Sequence, residues 1–502
     1  MKYILLLTAF FFSFSCSVYK NAYKIKKNPK VEEYANSITA KELKQHLSVI
    51  ASDEYEGRET GKKGQIMTAE YLKNEFKKDG IAPGNNGSYF QNFPLLETFI
   101  PDAKISLHGN KYEFSKDFYF FNSLINMKGF KVNTNEIIDL NYGIFDKNRD
   151  DYKSKSIQGK TVLISLDTLE NYENWNWRKK LQIAKDKGVK TVLFTSKNFR
   201  SNLRRLDHFL NKSSLKLVPK KKKKEKGNTL FLFISEELKK DVITSIESGA
   251  SLINQPNYNS FLLDYTNKNG IVNTSNVLGF VEGTDPELKK EIVILTAHYD
   301  HLGIKNGEVY NGADDDGTGT VALLELAEAF QKAKNDGNGP KRSILIMPVS
   351  GEEKGLLGSK YYSENPVFPI SNTIVDLNID MIGRLDENHT HPNYVYLIGA
   401  DKISRELHEV SEAANKTYSN LELDYTFNEE NDPNRFYYRS DHYNFAQKGI
   451  PVIFYFSGVH EDYHKATDEI DKIMFDKVEK ITKLVFYTAW EVANKPARLI
   501  ID

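Results

Sequence analysis

Cysteine is the scarcest residue in this sequence: Cys16 is the only one among 502 residues. A chain with a single thiol forms no internal disulfide bond. It also lacks the set of thiolates that closed structural zinc sites commonly use. A metal site in this chain would therefore depend on imidazole and carboxylate groups.

An excess of charge of either sign is also absent, since 68 lysines and arginines balance 68 aspartates and glutamates. Without a net positive field, the sequence gives no support for nucleic-acid binding. One basic run, 220–224 with Lys226, is interpreted as a solvated loop; contact with anionic lipid headgroups or an acidic peptide is the alternative. The length and the 40% hydrophobic content are sufficient for two or three domains.

The apolar run 4–14, which follows Lys2, is too short to cross a membrane as a helix. With Ser15 and Cys16 after it, this run predicts a signal peptide over 1–16. Cys16 lies where a bacterial lipoprotein signal is cleaved and lipidated, so a lipid there would be the only membrane attachment; simple secretion is the alternative. Residues 17–37 would then be a tether, because they lack a periodic pattern.

Four short runs rich in β-branched and aromatic residues alternate with segments of helical periodicity. The strand-like runs are 292–297, 344–349, 374–379 and 452–456, and the helical segments include 321–333 and 403–414. This order predicts an α/β fold with a doubly wound, largely parallel sheet. In such sheets ligands bind beyond the carboxyl ends of the strands.

Acidic and histidine side chains follow the predicted strands. Those at or just beyond a strand end are His298, Asp315, Glu352, Glu353, Asp380 and His464. Imidazole and carboxylate are zinc ligands, and three ligand carboxylates, Asp315, Glu353 and Asp380, favour two divalent ions over one. Two ions about 3.5–4 Å apart lower the pKa of a shared water towards about 7, and the neighbouring Glu352 would accept its proton. Such carboxylate-rich sites also accept manganese or cobalt.

Five short motifs occur in a fixed order: His298-Tyr299-Asp300, Gly312-Ala313-Asp314-Asp315, Glu352-Glu353, Asn378-Ile379-Asp380-Met381 and Tyr463-His464. In this order they resemble the co-catalytic di-zinc aminopeptidases, whose relatives include glutamate carboxypeptidases and glutaminyl cyclases. The resemblance covers about 38–100 and 273–493. It implies a sheet of the zinc exopeptidase type and a centre with two Zn²⁺ ions.

The resemblance also implies which residues bind the two ions. Asp315 would bridge them. Glu353 and His464 would complete one site, and His298 and Asp380 the other.

Three further residues receive catalytic roles from the resemblance. Glu352 would be the general base. Asp300 would orient His298, because a metal-bound imidazole needs a partner on its second nitrogen. Tyr463 would hydrogen-bond the oxyanion, as a tyrosine does in some members of the family.

Each motif has a simpler interpretation when taken alone. The loop 312–317 can be an ordinary helix N-cap, Glu352-Glu353 a solvated helical turn, and His298 a buried histidine. The five motifs together favour the metal site. His460 is interpreted as a surface or substrate-facing residue, and Ser440-Asp441-His442 as a helix start beside the pocket rather than a catalytic triad.

The segment between the two parts of the resemblance has its own pattern. A strand-like run at 161–166, an amphipathic stretch at 178–187 and a second run at 191–195 predict a strand, helix, strand unit. The segment resembles the protease-associated domain, an α/β insert that usually restricts substrate size. The predicted domains are 38–100 with 271–502 as the catalytic domain and 101–270 as the protease-associated-like insert.

The resemblance implies a zinc-dependent aminopeptidase that acts on extracytoplasmic peptides. A carboxypeptidase or dipeptidase would use the same metals with a basic group for the terminal carboxylate, and Arg384, Arg435 and Arg439 are the candidates. A glutaminyl cyclase and a non-catalytic peptide-binding lipoprotein are further alternatives. The sequence does not indicate the side-chain preference or the oligomeric state.

Overall fold

The computed structural model describes residues 23–121, 129–134, 136–219, 229–248, 260–266 and 269–502. The predicted signal peptide 1–16 with its Cys16 and the basic run 220–226 lie outside the described residues. Among the described residues, no helix has both the length and the apolar character needed to cross a membrane.

The α-helices are α1 (Pro29–Ala35), α2 (Ala40–Ile50), α3 (Lys63–Lys78), α4 (Trp177–Asp186), α5 (Phe199–Leu210), α6 (Glu236–Ser248), α7 (Gly319–Asn335), α8 (Leu357–Glu364), α9 (Arg405–Ala414), α10 (His442–Ala446) and α11 (Phe475–Asn494). The strands are β1 (Ala82–Pro83), β2 (Phe90–Thr98), β3 (Asp102–Leu107), β4 (Asn110–Glu113), β5 (Phe118–Tyr119), β6 (Gly129–Thr134), β7 (Ile137–Asp139), β8 (Thr161–Ser165), β9 (Thr191–Thr195), β10 (Ser214–Leu217), β11 (Leu230–Ile234), β12 (Phe261–Thr266), β13 (Asn269–Val277), β14 (Gly279–Val281), β15 (Ile292–His298), β16 (Gly303–Lys305), β17 (Glu308–Tyr310), β18 (Ser343–Val349), β19 (Thr373–Ile379), β20 (Tyr394–Ile398), β21 (Glu422–Asp424) and β22 (Val452–Phe456).

The chain forms two compact units. The first combines the described residues up to Gln91 with Ser275–Asp502, and the second is Asn92–Thr274. The sequence-based boundaries were placed at 100/101 and 270/271. The compact units divide at 91/92 and 274/275.

Helix α1 corrects part of the predicted tether. The side chain of Asn28 caps this helix by accepting a hydrogen bond from the Lys30 N–H, and Pro29 occupies its first turn. Val31 and Tyr34 are buried in the main hydrophobic core of the first unit. The segment lacks a long periodic pattern because it is only two turns long, yet it is part of the folded unit.

The first unit is built on an eight-stranded sheet with the order β1-β14-β18-β15-β19-β22-β20-β21. Strands β18, β15, β19 and β22 are mutually parallel and form its centre. Antiparallel pairings attach β14 on one side and β20 on the other. The register places His298 opposite Val349, so that β15 and β18 end at the same edge. The predicted α/β fold with a largely parallel sheet is confirmed.

Helices cover both faces of this sheet. Val293 and Leu295 of β15 pack in a core with residues of α7 and α11. The alternate residues Ile292 and Ile294 face a second core that contains Tyr362 of α8 and Phe445 of α10. Since successive side chains of a strand point to opposite faces, a strand covered on both sides has to be apolar throughout. This requirement explains the unbroken apolar runs of the sequence.

The second unit contains a five-stranded sheet of order β5-β11-β9-β8-β7 and a four-stranded antiparallel sheet of order β4-β3-β12-β6. Strands β8 and β9 are parallel, and α4 connects them. The strand, helix, strand pattern of the sequence is therefore present. The assignment of this unit to the protease-associated class stays a prediction.

Candidate metal centre

The predicted metal-binding residues lie together at the carboxyl edge of the parallel strands. His298 is the last residue of β15, and Asp380 directly follows β19. Glu352 and Glu353 follow β18 in the turn before α8. Asp315 lies in the helical turn Ala313–Thr318 that precedes α7.

The backbone of the turn that carries Asp315 is fixed by hydrogen bonds to Asp468. The carboxylate of Asp468 accepts hydrogen bonds of 3.1 Å from the backbone N–H groups of Asp314 and Asp315. Gly312 opens the turn with φ of +55°, and a Cβ there would lie 2.4 Å from Cδ2 of His301. The Gly-Ala-Asp-Asp-Asp loop therefore needs its glycine for both conformation and space.

The side chains that could bind a metal form two groups of three, and within each group the ligand atoms lie within 4.8 Å of one another. The first is His298, Glu352 and Asp380, and the second is His301, Asp315 and Glu353.

Asp315 contacts imidazoles on both sides. Its Oδ1 is 3.3 Å from Nε2 of His298, and its Oδ2 is 3.2 Å from Nε2 of His464. The same nitrogen of His464 lies 3.5 Å from Oε1 of Glu353, and Nε2 of His298 lies 3.7 Å from Oδ1 of Asp380. The five residues predicted as ligands thus lie together, with the two oxygens of Asp315 directed at different histidines.

His301 belongs to the centre although the sequence interpretation did not include it. Its buried Nδ1 lies 2.9 Å from Oε1 of Glu353 and 3.9 Å from Oδ2 of Asp315. Its ring centre is 6.1 Å from that of His464. The signal for this residue was its place three positions after His298, in the loop that leaves the same strand.

The donor set fits divalent cations such as zinc. Oδ2 of Asp315, Oε1 of Glu353 and both ring nitrogens of His301 are buried. These atoms approach one another and His464, but among the described residues none of the contacts has the geometry of a hydrogen bond. Buried polar groups rarely stay unsatisfied, and several buried carboxylates repel one another unless a cation lies between them. Nitrogen and oxygen donors without thiolates are typical of catalytic zinc sites.

The Asp300 carboxylate does not contact the imidazole it was predicted to orient. Nδ1 of His298 lies 3.0 Å from the main-chain carbonyl oxygen of Asp300, which accepts its hydrogen bond. The carboxylate of Asp300 instead accepts from the backbone N–H of Gly351 at 2.7 Å and of Glu352 at 3.2 Å, and from the Thr60 hydroxyl at 2.5 Å. Asp300 therefore fixes the turn that carries Glu352.

Other buried side chains orient the remaining groups. The hydroxyl of Ser440 donates to Oδ2 of Asp380 at 2.7 Å, which leaves Oδ1 towards His298. The carboxylate of Asp316 accepts from the backbone N–H groups of His298 and Met381. Ser440 lies just before α10, so the Ser-Asp-His segment does start a helix beside the site.

The pKa directions follow from burial and from the pairing of imidazole with carboxylate. Burial raises the pKa of Glu352 well above its usual value, with a further rise from the charges of Glu353, Asp441 and Asp380. Burial also acts to lower the pKa of His298, but the nearby carboxylates of Glu352 and Asp380 outweigh it and raise that pKa.

Burial and charge pairing also act in opposite directions on the pKa values of His464 and Glu353. Burial acts to lower the pKa of His464, but Asp315 and Glu353 raise it to about 9. Burial acts to raise the pKa of Glu353, whereas His301 and His464 bring it down to about 2. A bound divalent cation keeps its histidine ligands neutral and its carboxylates ionised.

The centre opens into a cavity of about 340 Å³. Its walls include the residues of the first unit that bear the ligand groups, together with apolar and aromatic side chains such as Leu356, Phe436 and Phe456. Tyr463 lines this cavity with its ring stacked on His464 at a centre-to-centre distance of 3.9 Å. Its hydroxyl lies 3.3 Å from Nη2 of Arg439.

His460 is not a surface or substrate-facing residue. Its side chain is buried, with Nε2 3.3 Å from Oδ2 of Asp314, and it is outside both groups of clustered ligand atoms. The sequence interpretation failed because Gly458 and the acidic residues around it indicated an exposed loop, while this loop folds back over the turn of Asp314.

Residues 276–489 match the family model of peptidase family M28. This range contains every residue of the cluster, so the candidate metal centre lies within the segment that matches this family. The rest of the chain lies outside this match.

Two curated relatives show the same likeness at low identity. One, described as a probable zinc metalloprotease of Pyrenophora teres f. teres, is 28% identical over 271 residues, which are 45% of this chain and 53% of the relative. Another, the aminopeptidase YwaD of Bacillus subtilis, is 26% identical over 256 residues, 50% of each protein. The chain spans about half the length of the curated relatives it matches.

One solved structure supports the fold over nearly the whole chain. The aminopeptidase from Aneurinibacillus sp. strain AM-1 superposes with a TM-score of 0.51 at 18% identity, covering 94% of this chain and 98% of that one. At this identity the likeness concerns the fold alone.

Proposed function

We propose that this chain, whose residues 276–489 match peptidase family M28, is a two-zinc aminopeptidase that removes N-terminal residues from peptides outside the cytoplasm. The observation that carries the proposal is the cluster of imidazole and carboxylate groups on both sides of Asp315. Zinc ions bound there would polarise the scissile carbonyl group and lower the pKa of a water molecule.

The ligand roles in this proposal follow the pairs of short distances. His298 and Asp380 would bind one ion, Glu353 and His464 the other, and Asp315 both. The support is that Oδ1 of Asp315 faces the first histidine and Oδ2 the second. The choice of zinc is supported by the relative described as a probable zinc metalloprotease. The attack at the N-terminal end of the peptide is supported by the relative described as an aminopeptidase.

Glu352 is proposed as the general base. Its carboxylate lines the cavity 3.9 Å from Nε2 of His298, and its backbone is fixed by Asp300. From this position it would accept a proton from the attacking water and return it to the leaving amine. The hydroxyl of Tyr463, on the same cavity wall, would donate a hydrogen bond to the oxyanion.

The predictions for the amino terminus and for the second unit belong to the same proposal. The signal peptide 1–16, the lipid on Cys16 and the protease-associated character of 101–270 rest on the sequence pattern. They agree with an enzyme whose peptide substrates are outside the cytoplasm.

The test combines zinc content with hydrolysis of matched free and N-acetylated peptides. We expect two zinc ions per chain and cleavage of the free peptides only. Cleavage unaffected by acetylation would move the assignment to a carboxypeptidase or endopeptidase. Bound zinc without hydrolysis would favour the cyclase or the binding protein.

Two variants separate the roles in the same assay. Glu352→Gln should keep both zinc ions and lower kcat by at least about 10²-fold, as expected for loss of a general base. Asp315→Asn should lower zinc content, because it changes a ligand of both ions. Glu308→Gln, at an exposed position of β17, is the control and should match the unmodified protein in both readouts. Near-normal turnover of the Glu352 variant would remove this residue from the mechanism.

A further inference from the structure

Among the described residues that line the cavity at the metal centre, one cationic side chain is present besides the histidines. Four carboxylates, those of Asp315, Glu352, Glu353 and Asp380, line its metal-binding side, and Arg439 lines it together with aromatic residues. A cavity of about 340 Å³ is at the small end of the range for ligand sites. The cavity therefore suits a small ligand group, and it places one positive charge, that of Arg439, within a mainly acidic site.

Arg439 has no carboxylate partner among the described residues. Its Nη2 donates to the Tyr463 hydroxyl at 3.3 Å, and its guanidinium carbon lies 4.7 Å from the ring centre of Phe436. A guanidinium group has five N–H donors in a planar fork that matches a carboxylate. Most of these donors remain available to a ligand, since the side chain is exposed.

The other two arginines considered for a terminal carboxylate are placed differently. Arg384 donates to Oδ2 of Asp462 at 2.9 Å, so its charge is already paired. Arg435 is exposed, lies 4.9 Å from the ring centre of Tyr438, and does not line the cavity. The structure thus selects Arg439 from the three.

Arg439 is connected to the metal-binding side of the cavity through Tyr463. It contacts Tyr463, whose ring stacks on the proposed ligand His464. In a dipeptide the free carboxylate carbon is three bonds from the scissile carbonyl carbon and within about 4 Å of it. A carboxylate on the residue after the scissile bond thus lies close to the reacting carbonyl, and one cavity, lined by both the proposed ligands and Arg439, would hold the two groups together.

We infer that Arg439 binds a carboxylate carried by the residue that follows the scissile bond, so that the preferred substrates are dipeptides or short peptides with an acidic second residue. This inference rests on the proposed function of the same site and adds its substrate class. The aromatic wall strengthens the pairing because it excludes water from one side of the guanidinium.

The test compares kcat/KM for pairs of peptides that differ only in one carboxylate. Leu-Phe and Leu-Phe-amide test the terminal carboxylate, and Leu-Asp-amide and Leu-Asn-amide test the acidic side chain. We expect at least about a fivefold preference for the acid in one or both pairs, expressed in KM. A ratio near one in both pairs overturns the inference.

Three variants of the zinc-loaded full chain identify the group responsible. Arg439→Gln should bring the acid-to-amide ratio near one, and Arg439→Lys should retain part of the preference. Arg439→Gln also removes the hydrogen bond to Tyr463, but that loss changes kcat equally for the acid and the amide. The acid-to-amide ratio of kcat/KM therefore reports carboxylate binding alone. Arg435→Gln is the matched control and should keep the full ratio. An unchanged ratio in Arg439→Gln overturns the inference.

A binding measurement separates failure of this inference from failure of the proposed function. Calorimetric titration of zinc-loaded Glu352→Gln with Leu-Phe and with Leu-Phe-amide, and likewise with Leu-Asp-amide and Leu-Asn-amide, requires no turnover. At least fivefold tighter binding of the acid in either pair, lost in the double variant with Arg439→Gln, supports the carboxylate site even if the chain hydrolyses nothing. Equal binding within both pairs overturns it even if the chain is an active aminopeptidase.

Discussion

Oδ1 of Asp300 accepts a hydrogen bond from the backbone N–H of Glu352 at 3.2 Å. A second bond, 2.7 Å from the N–H of Gly351, ends on the same oxygen. Asp300 and Glu352 are 52 residues apart in sequence, and the contact joins the loop after β15 to the turn after β18. The position of the proposed base thus depends on a buried carboxylate that does not face the substrate.

This contact predicts the effect of Asp300→Asn. The oxygen of the amide can still accept from the two backbone N–H groups, but the side chain loses its negative charge, and its NH2 group replaces the oxygen that accepts from the Thr60 hydroxyl. We expect kcat to fall about 10- to 100-fold, as for partners that orient catalytic groups, while zinc content stays at the level of the unmodified protein. Zinc analysis and steady-state kinetics on one preparation test both parts.

The control for this prediction is Thr60→Val, which removes the hydroxyl donor and leaves the two backbone bonds. Its kcat should change much less. A loss of zinc in Asp300→Asn comparable to the loss of activity would contradict the prediction, because it would mean that the carboxylate acts through His298.

The position of His301 predicts that its substitution weakens the binding of only one of the two zinc ions. Its Nδ1 is 2.9 Å from Oε1 of Glu353 and does not belong to the first group of ligand atoms around His298. In His301→Asn we expect one zinc ion to bind about 10- to 100-fold more weakly and the other to bind normally. Competition with a chelator, followed by zinc analysis, measures the two affinities. His391→Asn, at a side chain that is 52% exposed, is the control; equal weakening of both ions would refute the assignment.

Much of this arrangement was predictable from the sequence, because strand ends and acidic motifs are local features. His298 and Asp380 were placed at strand ends by the apolar runs before them, and the observed β15 and β19 end at His298 and Ile379. The doubly wound sheet followed from unbroken apolar strands, which only a sheet covered on both faces requires.

The partners inside the site were not predictable, since they depend on which loops meet in three dimensions. His460 was expected at the surface or facing the substrate, yet it is buried against Asp314. Asp300 was expected to face His298 through its side chain, and it does so through its main-chain carbonyl. Sequence spacing gives the distance along the chain between two groups but not the direction in which a loop turns its side chain.

Arg58 is a further partner that no local pattern indicates, and it predicts a large effect on stability. Its buried guanidinium donates to the main-chain carbonyls of Ile50, Tyr299, Asn311 and Gly312, at 2.6–2.9 Å. It therefore ties α2 to the two loops that enter the metal centre. Arg58→Met would leave the buried carbonyls of Ile50, Tyr299 and Asn311 without a donor, whereas Gly312 keeps the N–H of Gly317. We expect a loss of about 3–5 kcal/mol in the free energy of unfolding. A change below about 0.5 kcal/mol in denaturant unfolding would contradict this account.

Glu325 of α7 predicts how stability depends on pH. Its side chain is buried, Oε2 accepts a hydrogen bond from the Thr39 N–H at 3.1 Å, and Oε1 has no hydrogen-bond partner among the described residues. Burial, together with the charges of Glu42, Glu328 and Asp79, raises its pKa to about 8, although the hydrogen bond from Thr39 acts to lower it. His46, 3.8 Å away, does not offset this, because burial lowers the pKa of its imidazole.

The sign of the effect follows from the raised pKa. Since the folded protein holds the Glu325 proton more tightly than the unfolded chain, the stabilising contribution is complete below pH 4.5 and is lost as the pH rises to about 8. Glu325→Gln keeps an acceptor for Thr39 and cannot ionise. We therefore expect it to match the unmodified protein at pH 4.5 and to be more stable by about 4 kcal/mol at pH 8.5. Denaturant unfolding at the two pH values measures the difference, with Glu308→Gln as an exposed control. A variant that is less stable at pH 8.5 would show that the ionised carboxylate stabilises the contact between α2 and α7.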